Sequence, residues 1–115
     1  MEDVLKSLKD WGCDVSGAIE RFMDDTELYM TCLKTVVTDP AYTKLGEALA
    51  EKNIKEAFDQ AHTLKGVLAN MGITPMYEII TEIVEPLRGG CCDSLEPAYG
   101  ELIAANEKLK KIIGS

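Results

Sequence analysis

NIKEAFDQAHTLKGVLANMGITP, residues 53–75, decides how the rest of the chain is read. Within it Ile54, Ala57, Phe58, Ala61, Leu64, Leu68 and Met71 recur every three or four positions, the spacing that lines one face of an α-helix. Asn53 is a residue type that starts helices, because its side-chain oxygen can accept from a backbone N–H the helix leaves free, and Gly72 is the type that ends them. The stretch therefore predicts one amphipathic helix of about five turns, from Asn53 to Met71. Thr74 and Pro75 then open another, since a hydroxyl cap followed by proline suits a first turn in which the missing N–H costs nothing.

The same punctuation extends in both directions. Downstream, the helix opened at Thr74 buries Met76, Ile79, Ile80, Ile83 and Leu87 and is closed by Pro86 and the Gly89-Gly90 pair. Asp93 with Glu96 three residues later then starts a last helix striped by Leu95, Ala98, Tyr99, Leu102, Ala105, Asn106, Leu109 and Ile113, with Asn106 its polar break. Upstream, Asp39-Pro40 starts a helix to about Lys52 that buries Leu45, Ala48 and Leu49. Before it, a short helix from Glu2 to Lys9 gathers Val4, Leu5 and Leu8 and ends near Gly12. Asp14 caps a second through Phe22. Asp24 with Glu27 resembles a capping box for a third, reaching Val37 along the line Leu28, Cys32, Val36.

No alternating stretch is long enough to predict a strand, so the expected class is all-α. Long amphipathic helices joined by short turns pack antiparallel, which predicts an up-and-down four-helix bundle from Pro40 to the C-terminus with additional short N-terminal helices. The expected organisation is a single domain over residues 1–115, with N-terminal helices in 1–38 and the bundle in 39–115.

Composition narrows the function. The 115 residues are 46% hydrophobic and 28% charged, which fits a folded domain and excludes a disordered or fibrous one. No apolar run approaches the roughly 20 residues that span a bilayer, and the N-terminus lacks the basic-then-apolar order of a signal peptide, so a cytoplasmic location is expected. A net charge of −8 argues against nucleic acid and anionic membrane as partners and leaves proteins. The cysteines at 13, 32, 91 and 92 have neither CxxC spacing nor histidine neighbours, so no metal site, no cofactor and no redox pair is expected, and the vicinal Cys91 and Cys92 read as reduced loop thiols.

His62 is the only histidine. Helical spacing puts Phe58, Asp59, Lys65 and Gly66 beside it and places it at the edge of the apolar stripe, with its ring toward solvent. Histidine side chains ordinarily titrate near 6.5, so the neutral nucleophilic form is available at cellular pH. Lys65 stands where an ammonium could meet an anion attached to the imidazole. Gly66 is anomalous, because a glycine inside a helix costs about 1 kcal/mol relative to alanine. On the residues alone it fits either close packing of a neighbouring helix or close approach of a partner, and a lone helix-edge histidine is an ordinary feature.

The run AHTLKGVLANMG, residues 61–72, resembles the signature of histidine-containing phosphotransfer (HPt) domains, through His62, Leu64, Lys65, Gly66, Asn70 and Gly72. The segment from Gly12 to Tyr29, with Ala18, Phe22 and an Asp-x-x-x-Tyr pattern, is similar to bacterial members. Val67 departs from the small residue many relatives have there, and Pro86 interrupts a helix usually continuous. The resemblance implies a phosphoryl carrier of a two-component phosphorelay that accepts the group on Nε2 of His62, with Lys65 helping to hold it and Gly66 leaving room for the receiver domain. That receiver's aspartate and bound Mg2+ would do the remaining chemistry. No nucleotide-binding loop occurs, so the chain is not expected to be an enzyme that draws phosphate from ATP. Two alternatives are a phosphoacceptor domain excised from a hybrid or chemotaxis-type sensor kinase, with Met1 favouring a free-standing protein, and a non-phosphorylated adaptor. The expected state is a monomer whose partner is a receiver domain.

Overall fold

Asn53 and Gly72 bracket the helix that organises the molecule. In the computed structural model, which describes residues 2–114, Asn53 accepts a hydrogen bond from the Glu56 N–H at 3.2 Å and the helix runs Ile54–Asn70. Gly72 then takes a left-handed φ of 72°, which lets Ile73 N–H reach the Leu68 carbonyl at 3.0 Å and Gly72 N–H reach Ala69 at 3.2 Å. This is the Schellman closure, with Leu68 and Ile73 both buried at its hydrophobic contact. A Cβ at Gly72 would run into the Asp14 backbone, so both the conformation and the space demand glycine.

The described residues are all-helical. In chain order they form α1 (Glu2–Trp11), α2 (Val15–Arg21), α3 (Thr26–Val36), α4 (Ala41–Ala50), α5 (Ile54–Asn70), α6 (Thr74–Arg88) and α7 (Glu96–Ile112). α4 packs on α5, α5 on α6 and α6 on α7, and α7 returns to touch α4. Between them lies a core that includes Leu45, Ala57, Ala61, Leu64, Leu68, Met76, Ile80, Ile83, Leu102 and Leu109, all nearly or fully removed from solvent. Burial of one such leucine, isoleucine or methionine side chain contributes about 1.5–3 kcal/mol, so these stripes dominate the stability. Asn106, the polar break, is buried because its amide donates to the Val37 carbonyl at 3.1 Å, just past the end of α3.

The N-terminal helices serve the end of α5. Arg21 donates through Nε to Asn70 O and through a terminal nitrogen to Ala69 O, both at 3.0 Å, and the Tyr29 hydroxyl donates to Met71 O at 3.0 Å. Asp14 N–H adds a bond to Gly72 O at 2.8 Å. Carbonyls that a helix C-terminus leaves without partners are thus satisfied from α2, α3 and the turn before α2. α1 lies against α7, where the Lys108 ammonium sits 5.1 Å from the Trp11 ring centroid.

Several boundaries differ from the sequence expectation. α3 is capped by Asp25, whose carboxylate accepts from Leu28 N–H at 3.0 Å, and not by Asp24, which takes a left-handed φ of 63° in the turn after α2. Its buried line is Tyr29, Leu33 and Val36, while Leu28 is exposed and Cys32 half-buried. Tyr29 wins the inward position because its ring meets Phe22 edge-on at 5.8 Å and its hydroxyl finds Met71. α4 stops at Ala50, since Lys52 turns left-handed and lets Asn53 N–H close on Ala48 O at 2.9 Å. In α6, Ile73 holds the cap position without a side-chain bond, and Val84 is buried where Ile79 was expected and is only half-buried. Pro86 does not end that helix, which continues to Arg88. Proline in the last turn removes one N–H, and its carbonyl still accepts the closing bond from Cys91 N–H at 2.9 Å across left-handed Gly90. α7 opens at Glu96 without an Asp93 cap, because Ser94 takes a left-handed φ of 61° and Pro97 has no N–H to give the Asp93 carbonyl the first bond of a helix started there.

Candidate functional site

α5 carries His62 at its middle, on the exposed side of the line Ala57, Ala61, Leu64, Leu68. The imidazole stacks on Phe58 one turn earlier, with centroids 5.4 Å apart and planes 20° from parallel. Phe58 is half-buried, so it forms a fixed floor under a ring whose free face and edge meet solvent. Its ring also receives the Arg88 guanidinium, 5.3 Å from the centroid, reaching over from the last turn of α6. A shallow groove of about 230 Å³ between the two helices is lined by Ile54, Lys55, Phe58, Leu87 and Arg88.

Lys65 lies one turn past His62, but its ammonium points to α6. There Nζ is 3.7 Å from Oε1 of Glu85 and 5.8 Å from the Tyr77 ring centroid. The second oxygen of Glu85 faces Nε of Arg88 at 3.8 Å, so one carboxylate stands between Lys65 and the arginine that lies over Phe58. Exposed pairs of this length contribute about 0–1 kcal/mol each, and a cation over a ring at an exposed site about 0.5–1 kcal/mol. The cluster is therefore easily rearranged by a stronger anion.

Gly66 is exposed, and a Cβ built on it meets nothing within 4 Å. The close-packing explanation is thereby ruled out. Gly46 in α4 is the glycine that does serve packing, since a methyl there would overlap the Tyr99 ring, whose hydroxyl donates to Tyr42 O at 2.8 Å.

The three residues singled out by sequence are thus on one exposed face, with Lys65 turned aside. Sequence reasoning placed Phe58 in the apolar stripe and beside His62, and assigned no role at this site to Glu85, Arg88 or Tyr77. Their i, i+3 spacing on α6 marks Glu85 and Arg88 as neighbours, yet nothing in the sequence sets the register of α6 against α5. Among the described residues, no group of three His, Cys, Asp or Glu side chains could hold a metal ion, and no helix is long and apolar enough to cross a membrane. Cys13 is buried, and desolvation pushes its thiol from the ordinary 9.0 up to about 11, so it is no nucleophile at neutral pH.

The described residues thus form an all-helical fold that presents one histidine on an open helix face. The family model for the Hpt domain matches residues 38–111, covering α4 to α6, α7 up to its last residue, and the whole of the His62 cluster. The chain belongs to the Hpt domain family, whose members act as phosphoryl carriers in phosphorelays and interact with receiver domains. No curated protein and no solved structure matches it.

Proposed function

We propose that this chain carries a phosphoryl group on His62 between aspartates of partner receiver domains. One observation carries the proposal: the chain's only imidazole lies exposed on a fixed aromatic floor, one turn from a glycine that leaves open space. Phosphoryl transfer asks for in-line positioning and charge stabilisation more than for covalent chemistry by the protein, and a helix face with one nucleophile and nearby cations supplies the acceptor half.

In the proposed step the Nε2 lone pair attacks phosphorus while the bond to the aspartate oxygen breaks, and that electron pair returns to the carboxylate. The imidazolium formed sheds its Nδ1 proton to solvent. Reversal regenerates the acyl phosphate, so the carrier serves either direction. Lys65 swings from Glu85 to the phosphoryl oxygens, and Gly66 admits the receiver's backbone. The receiver brings the aspartate and the Mg2+ that neutralises charge in flight. Helices α4 to α7 are read as an up-and-down antiparallel four-helix bundle that holds His62 still, and the carrier as a cytoplasmic monomer.

The test is transfer from a receiver loaded with labelled acyl phosphate. The receiver should lose label as the wild-type chain gains it, and a second, unlabelled receiver should then draw it off. Wild type that gains no label, or His62→Gln that gains as much, refutes the proposal.

A further inference from the structure

Lys65 and Arg88 are both engaged by Glu85, at 3.7 and 3.8 Å. The Lys65 side chain is only 22% exposed, whereas Glu85 is 56% exposed. The lysine stem is therefore packed along α6 and only its head is free to choose a partner. From the middle of α5, a position three residues past His62, that head has two anions within reach: the Glu85 carboxylate, and whatever charge the imidazole comes to bear. A phosphoryl group brings a charge of about −1.5 to −2 near neutral pH, more than one carboxylate offers.

Resting on the carrier function proposed above, we infer that Glu85 is a positioning residue that holds Lys65 off the acceptor until a phosphoryl group arrives, and competes for the lysine afterwards. It thereby limits how tightly His62 keeps its cargo. Without Glu85, Lys65 would be released to the phosphoryl group outright, and the group would be held more strongly and passed on less readily. A carrier benefits from the opposite arrangement. Glu85 also keeps the face near charge balance before phosphorylation, so an acidic receiver pocket is not captured by two unopposed cations.

The experiment uses the full chain loaded with phosphoramidate, a small donor that needs no receiver. Nε2 of His62 forms the new P–N bond as ammonia leaves. The second ionisation of the phosphoryl group is then followed by 31P NMR across pH in wild type, Glu85→Gln, Lys65→Met and the double variant, with thermal melts as a check on folding. Releasing Lys65 stabilises the dianion, so Glu85→Gln should raise the group's acid dissociation constant, by up to about fivefold for an exposed pair. In the Lys65→Met background the same change should have no effect. An unchanged or lowered constant in Glu85→Gln overturns the inference. So does a rise that persists undiminished without Lys65, since Glu85 would then act through its own field. Wild type that accepts the group from phosphoramidate but exchanges none with receivers refutes the relay function while leaving the Glu85 result to be judged on its own titration. Failure of His62 to take the group at all overturns both.

Discussion

Gly66→Ala should stabilise the protein and impair it. The added methyl meets nothing within 4 Å, so no overlap offsets the gain in helix propensity, which is about 0.8–1.0 kcal/mol for alanine over glycine in a helix interior. At about 2.1 cal/mol/K per residue, the 115-residue chain unfolds with an entropy near 0.24 kcal/mol/K, so this gain should raise Tm by about 4 °C. If the open face exists for a partner's approach, the same methyl intrudes on the docked complex. Overpacking costs about 1–3 kcal/mol, which slows transfer by roughly five- to 150-fold. The assay pairs thermal melts with the initial rate of receiver-to-chain transfer. Gly46→Ala is the control of opposite kind, because its methyl overlaps the Tyr99 ring and should lower Tm despite the same propensity gain. A Gly66→Ala protein that melts below wild type would contradict the geometry, and one that is stabilised yet transfers at full rate would refute the role of Gly66 in access.

Other expectations follow from the contacts around α5. Arg21→Met removes donors from the Asn70 and Ala69 carbonyls and should cost about 1.5–3 kcal/mol by denaturant unfolding, the range for hydrogen bonds to a charged group, with Arg21→Lys recovering only part because an ammonium lacks the two-pronged geometry. A variant as stable as wild type would show that water replaces it. Stability should also fall in alkali. The Cys13 thiol is raised by burial to about 11, and burial raises the Tyr29 hydroxyl as well, the latter in its neutral form donating to Met71. Since the unfolded chain ionises these groups first, the Cys13 contribution is complete below pH 9 and is lost as pH rises toward 11, while that of Tyr29 begins to fall only above pH 10. Melts from pH 7 to 10.5 should show a declining Tm above about pH 9, shallower in Cys13→Ala; a flat profile would sink this account.

Helix placement was largely legible in the sequence because amphipathic spacing and glycine stops are local properties. Asn53, Asp14 and Gly72 cap where their types suggest. Caps failed where two signals competed. Asp24 and Asp25 are adjacent and chemically equal, and only the backbone turn after α2 decides which faces α3. Pro97 overrode Asp93, and Pro86 looked like a stop although its carbonyl completes the closing turn. The same limit applies to the acceptor face. His62, Lys65 and Gly66 belong to one helix, and their proximity follows from its pitch. Glu85 and Arg88 arrive from α6, and their contact with Lys65 and Phe58 depends on how two helices slide and rotate against each other, which no spacing rule encodes. The two arginines of the chain illustrate the difficulty: both reach α5, one at its C-terminal end and one at Phe58 in its N-terminal half, from helices before and after it.

The most direct test is to locate the phosphoryl group itself. After transfer from a loaded receiver, the intact chain is analysed by 31P NMR and by fragmentation mass spectrometry kept at neutral to alkaline pH. A single acid-labile phosphoryl group on Nε2 of His62 is the predicted result; a group on any other side chain, or an unmodified chain beside a receiver that has kept its acyl phosphate, would contradict it.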